Sequence, residues 1–122
     1  MNVDPTPEDI KQFFADDDGG PVVMLNLLRY AGEEGRAKYA QYAAQTPPFL
    51  ESVGATVLYA GECSTALVAP DGHVWDTILV VRYPSRSAFL EMVMQPGYQA
   101  ITHLRTEGLE AAVLHATTPW AD

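Results

Sequence analysis

The stretch VWDTILVVRY (Val74–Tyr83) decides the fold. Read as a strand, it places Trp75, Thr77, Leu79, Val81 and Tyr83 on one face. Asp76, Ile78, Val80 and Arg82 fall on the other, because successive strand side chains point to opposite sides. Both faces have apolar centres, so both need cover. The two charges sit six residues apart, which at the strand rise is ~20 Å, too far to pair directly. Asp76 and Arg82 therefore mark opposite ends of one face.

Outward toward the C-terminus, PSRSAFLEMVM starts a helix. Ser85 is its N-cap, and Ala88, Phe89, Met92 and Val93 form its inner stripe. Gln95-Pro96-Gly97 breaks it, YQAITHLRTEGLE resumes as a second short helix, and AAVLHATTPW supplies a last strand. Toward the N-terminus, PDGH is a turn, with Asp71-Gly72 suited to positive φ. ATVLYAGECSTALVA before it reads as a strand bent or bulged near Gly61. Further back, RAKYAQYAAQTPPFLESVGA carries Tyr39, Tyr42, Ala43, Thr46, Phe49, Leu50 and Val53 at helical spacing. It is interrupted at Pro47-Pro48 and stopped by Gly54. AGEEG reads as a loop, and PVVMLNLLRY (Pro21–Tyr30) as another strand apolar on both faces. TPEDIKQFFADDD opens the chain as an amphipathic helix, with Thr6 as N-cap and Pro7 at the first helical position.

After that leading helix the order is β–α–β–β–α–β. This is the ferredoxin-like arrangement, an α+β fold with a four-stranded antiparallel sheet and helices on one face. Residues 1–20 form an N-terminal helical extension and residues 21–122 the ferredoxin-like domain. The uncovered apolar sheet face predicts a homodimer, packed sheet to sheet as a dimeric α+β barrel. The competing solution is a monomer whose N-terminal helix lies over that face.

Composition bounds the rest. The 122 residues suit one domain and, by area scaling, roughly two-thirds of the unfolded surface would be buried. With 16 acidic and 7 basic residues the formal charge is −9, which argues against nucleic acid and anionic membranes as partners. The single Cys63 cannot form an internal disulfide, reads as a small buried hydrophobe, and fits a cytoplasmic setting. No run approaches a membrane span, and MNVDPTPEDI does not resemble a signal peptide. His73, His103 and His115 lack chelating spacing, so no metal is expected, and no cofactor motif is present.

GPVVMLNLLRY, YAQYAAQTPPFLESVGATVLYAG, WDTILVVRYPSRSAFLEMV and PGYQAITHLRTEGLE together resemble domain of unknown function 1330, from about Pro21 to Thr117. The resemblance implies a ferredoxin-like fold and a dimer, and it implies no reaction. The expected pocket lies between sheet and helices and takes a small molecule. Tyr39, Trp75 and Tyr98 are its apolar lining. Asn26 and Arg82 orient a polar head group, and Arg105 flanks the mouth. His103 or His115 is available as a general base. Each has a plainer reading: Asn26 holding a loop, Arg82 in an ion pair, the tyrosines as core, Arg105 solvated. The function expected is therefore binding of a compact organic acid or aromatic, as a cofactor-independent monooxygenase or isomerase. The alternative is a non-catalytic sensor, carrier or structural dimer.

Overall fold

The computed structural model describes residues 2–121. Its elements run α1 Pro7–Ala15, β1 Val22–Tyr30, α2 Gly32–Gln45, α3 Pro47–Ser52, β2 Thr56–Glu62, β3 Thr77–Tyr83, α4 Arg86–Val93, α5 Pro96–Gln99, α6 Thr102–Gly108 and β4 Leu109–Thr117. The four strands form one antiparallel sheet in the order β2-β3-β1-β4. The expected α+β, ferredoxin-like topology is thus present.

Local chemistry explains most boundaries. Thr6 and Asp9 form a reciprocal capping box on α1. The Ser85 hydroxyl accepts from the Ala88 amide at the start of α4. Pro47 opens α3 after α2 ends, as a proline at the first helical position allows. Gly54 takes φ 75° after α3 and ends it.

Several expectations need correction. AGEEG is not a loop: α2 begins at Gly32, and Glu33 and Glu34 occupy its first turn, where the helix dipole favours acids. The second strand stops at Glu62, far short of Ala69, and its register shift falls between Val57 and Tyr59 rather than near Gly61. β3 starts at Thr77, so Trp75 and Asp76 precede it. The helix expected after Pro96 is two short ones, and β4 begins at Leu109. Cys63 is exposed, not buried, because it lies just beyond the end of β2.

Register shows which face of each strand meets the helices. Asn26 lies opposite Leu79 and Leu114, and Met24 opposite Val81 and Ala116. This face, with Val22, Leu28 and Tyr83, packs on Tyr39, Tyr42, Phe89, Met92 and Tyr98 from the helices. On the reverse face Leu25 lies opposite Val80 and His115, and Leu27 opposite Ile78 and Val113. The four apolar side chains Leu25, Leu27, Ile78 and Val80 are only half-buried.

The N-terminal helix does not cover that reverse face. Phe13 stacks edge-on against Phe89 of α4 with 5.5 Å between ring centroids. The Arg86 guanidinium donates to the Phe13 carbonyl at 2.8 Å and sits over the Phe13 ring. Thus α1 joins the helical layer.

Helices α2 and α6 meet through two glycines. A Cβ on Gly35 would stand 2.6 Å from the Gly108 carbonyl oxygen, and one on Gly108 2.7 Å from that of Gly35. No side chain fits there, so the backbones touch.

Candidate functional site

Between the sheet and the helices lies a cavity of about 770 Å³, within the size range of small-molecule sites. Its floor is the helix-facing side of the sheet, including Met24, Asn26, Leu79 and Val81. Its walls carry Tyr39 and Tyr42 from α2, Tyr98 from α5 and Arg105 from α6.

The tyrosines form a continuous aromatic run. Ring centroids are 5.5 Å apart for Tyr30 and Tyr39, 5.3 Å for Tyr39 and Tyr42, and 6.1 Å for Tyr42 and Tyr98. Spacing of this kind is attractive between aromatic rings. Burial pushes the Tyr39 hydroxyl up to about 12. Burial also raises Tyr42, with the neighbouring Tyr98 adding to it, and raises Tyr83 and Tyr98. All four are therefore neutral at physiological pH and retain a proton to donate.

Asn26 is 8% exposed in mid-strand. Its Nδ2 donates to the carbonyls of Leu79 at 3.3 Å and Met24 at 3.4 Å. Both partners are acceptors only, so the amide orientation is fixed by chemistry. Among the described residues no donor reaches its Oδ1, which leaves that oxygen able to accept from a ligand.

Arg105 is 9% exposed. Its Nη1 donates to the Val3 carbonyl at 2.7 Å and to Asp4 Oδ1 at 3.2 Å. Its Nη2 is shielded and has no partner among the described residues. A buried, unpaired guanidinium donor is costly, so the fold leaves this nitrogen in need of an acceptor. The solvated arginine that the sequence also allowed is not what the fold makes of it.

One edge of the cavity is closed by a polar chain. Tyr30 donates to Thr77 Oγ1 at 2.8 Å, and Thr77 donates to Glu62 at 3.2 Å. Arg36 donates to Glu62 through Nη2 and Nη1, at 3.0 and 3.2 Å, and lies 4.5 Å over the Tyr30 ring. The hydrogen bond from Arg36 holds the Glu62 carboxyl below its ordinary range.

Of the eight residues singled out in the sequence, the fold gathers Asn26, Tyr39, Tyr98 and Arg105 on this cavity. Trp75 lies outside it, with Arg29 stacked at 5.7 Å and His73 beside it. Arg82 projects from the reverse face opposite Val23, without a hydrogen bond or ion pair among the described residues. His103 is exposed on α6, and His115 lies exposed on β4 opposite Leu25. Tyr42 is the residue of the wall that sequence reasoning placed only in the core. Its position one turn after Tyr39 was the available signal. Asp76 has a structural task. Its carboxylate accepts from the Tyr30 amide at 2.9 Å, and its own amide donates to the Leu28 carbonyl at 2.8 Å. It thereby supports β1 where the register shifts between Arg29 and Tyr30. Among the described residues no three of His, Cys, Asp or Glu are grouped to hold a metal ion, and no helix is long and apolar enough to cross a membrane.

Comparison with known proteins places this geometry in context. Residues 33–117 match the model of a family described as domain of unknown function (DUF1330). The crystal structure of a protein of unknown function from Rhodopseudomonas palustris is 33% identical. The match covers 99% of this chain and 98% of that one, with a TM-score of 0.90, so the N-terminal extension is part of the likeness. A dimeric protein of unknown function with a ferredoxin-like fold, from Bacteroides fragilis, is 12% identical, covers 80% and 95%, and has a TM-score of 0.56. A hydroxynitrile lyase from Passiflora edulis is 13% identical, covers 80% and 92%, and has a TM-score of 0.62. The last two share the fold alone. No curated protein matches the chain.

Proposed function

This chain belongs to the domain of unknown function 1330 family, and from that premise we propose that it is a homodimer binding a compact organic acid or aromatic molecule in each subunit's tyrosine-walled cavity. The observation that carries this is the Asn26 Oδ1, without a donor among the described residues, in the floor of a largely apolar, aromatic space. Apolar walls with a few placed polar groups are what small-molecule sites have in common. The dimer rests on the uncovered reverse face around Leu25, Ile78 and Val80 and on the dimeric description of a protein with the same fold. A reduced, cytoplasmic setting belongs to the same proposal, since the lone Cys63 is exposed.

Retention of the ligand, as in a carrier or sensor, is the reading the lining favours. Its tyrosines are held protonated by burial, and no histidine is among its residues. No imidazole is therefore available in the described wall to act as general base. The second reading is proton-transfer isomerisation or cofactor-independent oxygenation, with Asn26 or a tyrosine hydroxyl stabilising developing charge. It is favoured by the fold, which also carries a hydroxynitrile lyase.

Thermal shift across a panel of small acids and aromatics, followed by turnover assays on each hit, tests both. Stabilisation without turnover supports the carrier or sensor, and turnover supports the enzyme. No stabilisation by any compound overturns the binding proposal.

A further inference from the structure

Building on the binding reading above, we propose that the ligand is a carboxylic acid with an apolar body, and that its carboxylate replaces Asp4 on Arg105. The cavity wall holds two arginines. Arg36 is already committed to Glu62 through Nη1 and Nη2 and is exposed. Arg105 is buried, and its fork is half filled: Nη1 is bonded and Nη2 is not. A guanidinium matches a carboxylate best when two parallel N–H donors meet two oxygens. Asp4 supplies one oxygen to one nitrogen at 3.2 Å, from a side chain that is 47% exposed. It is a poor substitute for the bidentate partner that the buried group lacks.

The segment carrying Asp4 is the open side of this contact, with Asn2, Asp4 and Pro5 all exposed. Asp4 has a second tether, since Thr106 Oγ1 lies 3.1 and 3.2 Å from its two oxygens. The helix that follows, α1, contains no fully buried residue. Behind Asp4, Pro5 and Ile10 lies a second space of about 560 Å³, reaching Phe13, Ala112 and His115. Asp4, Pro5 and Ile10 border both spaces. Displacement of the Asp4 side chain would free Nη1 for one oxygen of the incoming carboxylate and leave the unpaired Nη2 for the other. The incoming acid would keep its apolar body among the tyrosine rings.

Calorimetric titration of the full chain with benzoate and with benzamide tests the proposal. The two probes share a shape and differ in charge. Benzoate is expected to bind roughly tenfold more tightly, the scale of one charge-assisted contact. Asp4→Asn should tighten benzoate several-fold by removing its competitor and leave benzamide unchanged. Amide exchange in α1 should quicken with benzoate and not with benzamide. Arg105→Gln should erase the preference for benzoate; should that variant not fold, Asp4→Asn and the exchange measurement decide. Equal affinity for the two probes overturns the acid seat while the cavity reading stands. Benzoate binding that ignores Asp4→Asn, or leaves α1 exchange unchanged, overturns the displacement. Failure of both probes to bind at millimolar concentration overturns the inference together with the cavity reading.

Discussion

The hydroxyls of Tyr42 and Tyr98 lie 2.5 Å apart, joining α2 to α5 across the cavity wall. One donates and the other accepts, and both side chains are buried. Tyr42→Phe or Tyr98→Phe would leave a buried hydroxyl without its partner, so each should cost about 1–2 kcal/mol. The double variant should cost less than the sum of the two, because both singles remove one bond. Denaturant unfolding of the four proteins measures this. Additive losses would show that the contact contributes nothing of its own.

Asn26→Leu separates fold from site. It replaces a weakly bonded amide, with donor distances of 3.3 and 3.4 Å, by an apolar side chain on an apolar floor. The melting temperature should hold or rise. Affinity for any ligand found by thermal shift should fall roughly tenfold, equivalent to ~1.4 kcal/mol. A large loss of stability with unchanged affinity would make Asn26 a structural residue.

The reverse sheet face gives the dimer its test. Light scattering at micromolar concentration should return twice the 13.3 kDa of the chain. Leu25→Lys places a charge at the centre of the proposed interface, opposite Val80 and His115. It should give a folded monomer, since the substituted side chain leaves the helix-facing core intact. A wild-type mass of one subunit would remove the dimer from the account.

Alkaline pH should unfold the protein through its buried tyrosines. Tyr39 is raised from 10.0 to about 12, and Tyr42, Tyr83 and Tyr98 are also raised by burial. The unfolded chain releases these protons first. The stability they contribute is therefore fully present below pH 10 and is lost as pH rises through the folded values. Tyrosinate absorbance and circular dichroism should change together above pH 10. Ionisation of these tyrosines well before the loss of structure would contradict their burial.

The topology was legible because hydrophobic period and punctuation agree along most of the chain. Thr6, Pro47, Gly54 and Ser85 mark the ends that the fold uses. AGEEG misled because α2 is anchored at its start by backbone contacts. The Ala31 amide donates to the distant Gly108 carbonyl at 2.9 Å, and composition cannot display that. The site was half legible for a related reason. Strand parity divides β3 into two faces without saying which one accompanies Asn26. Only the pairing of Asn26 with Leu79 does so, and it sends Arg82 to the other side. Arg105 was visible as a residue, but the acceptors that hold its Nη1 and leave Nη2 unpaired come from Val3 and Asp4, about a hundred positions earlier.

The contact between Gly35 and Gly108 has a consequence for how such a pocket changes its preference. Their backbones fix the spacing of α2 and α6 with no side chain between them. Tyr39 and Arg105 therefore hang from a frame whose width is indifferent to what they are. Replacing a lining residue re-cuts the lock without moving its casing. A substitution at either glycine would instead push the casing apart and change every ligand's fit at once.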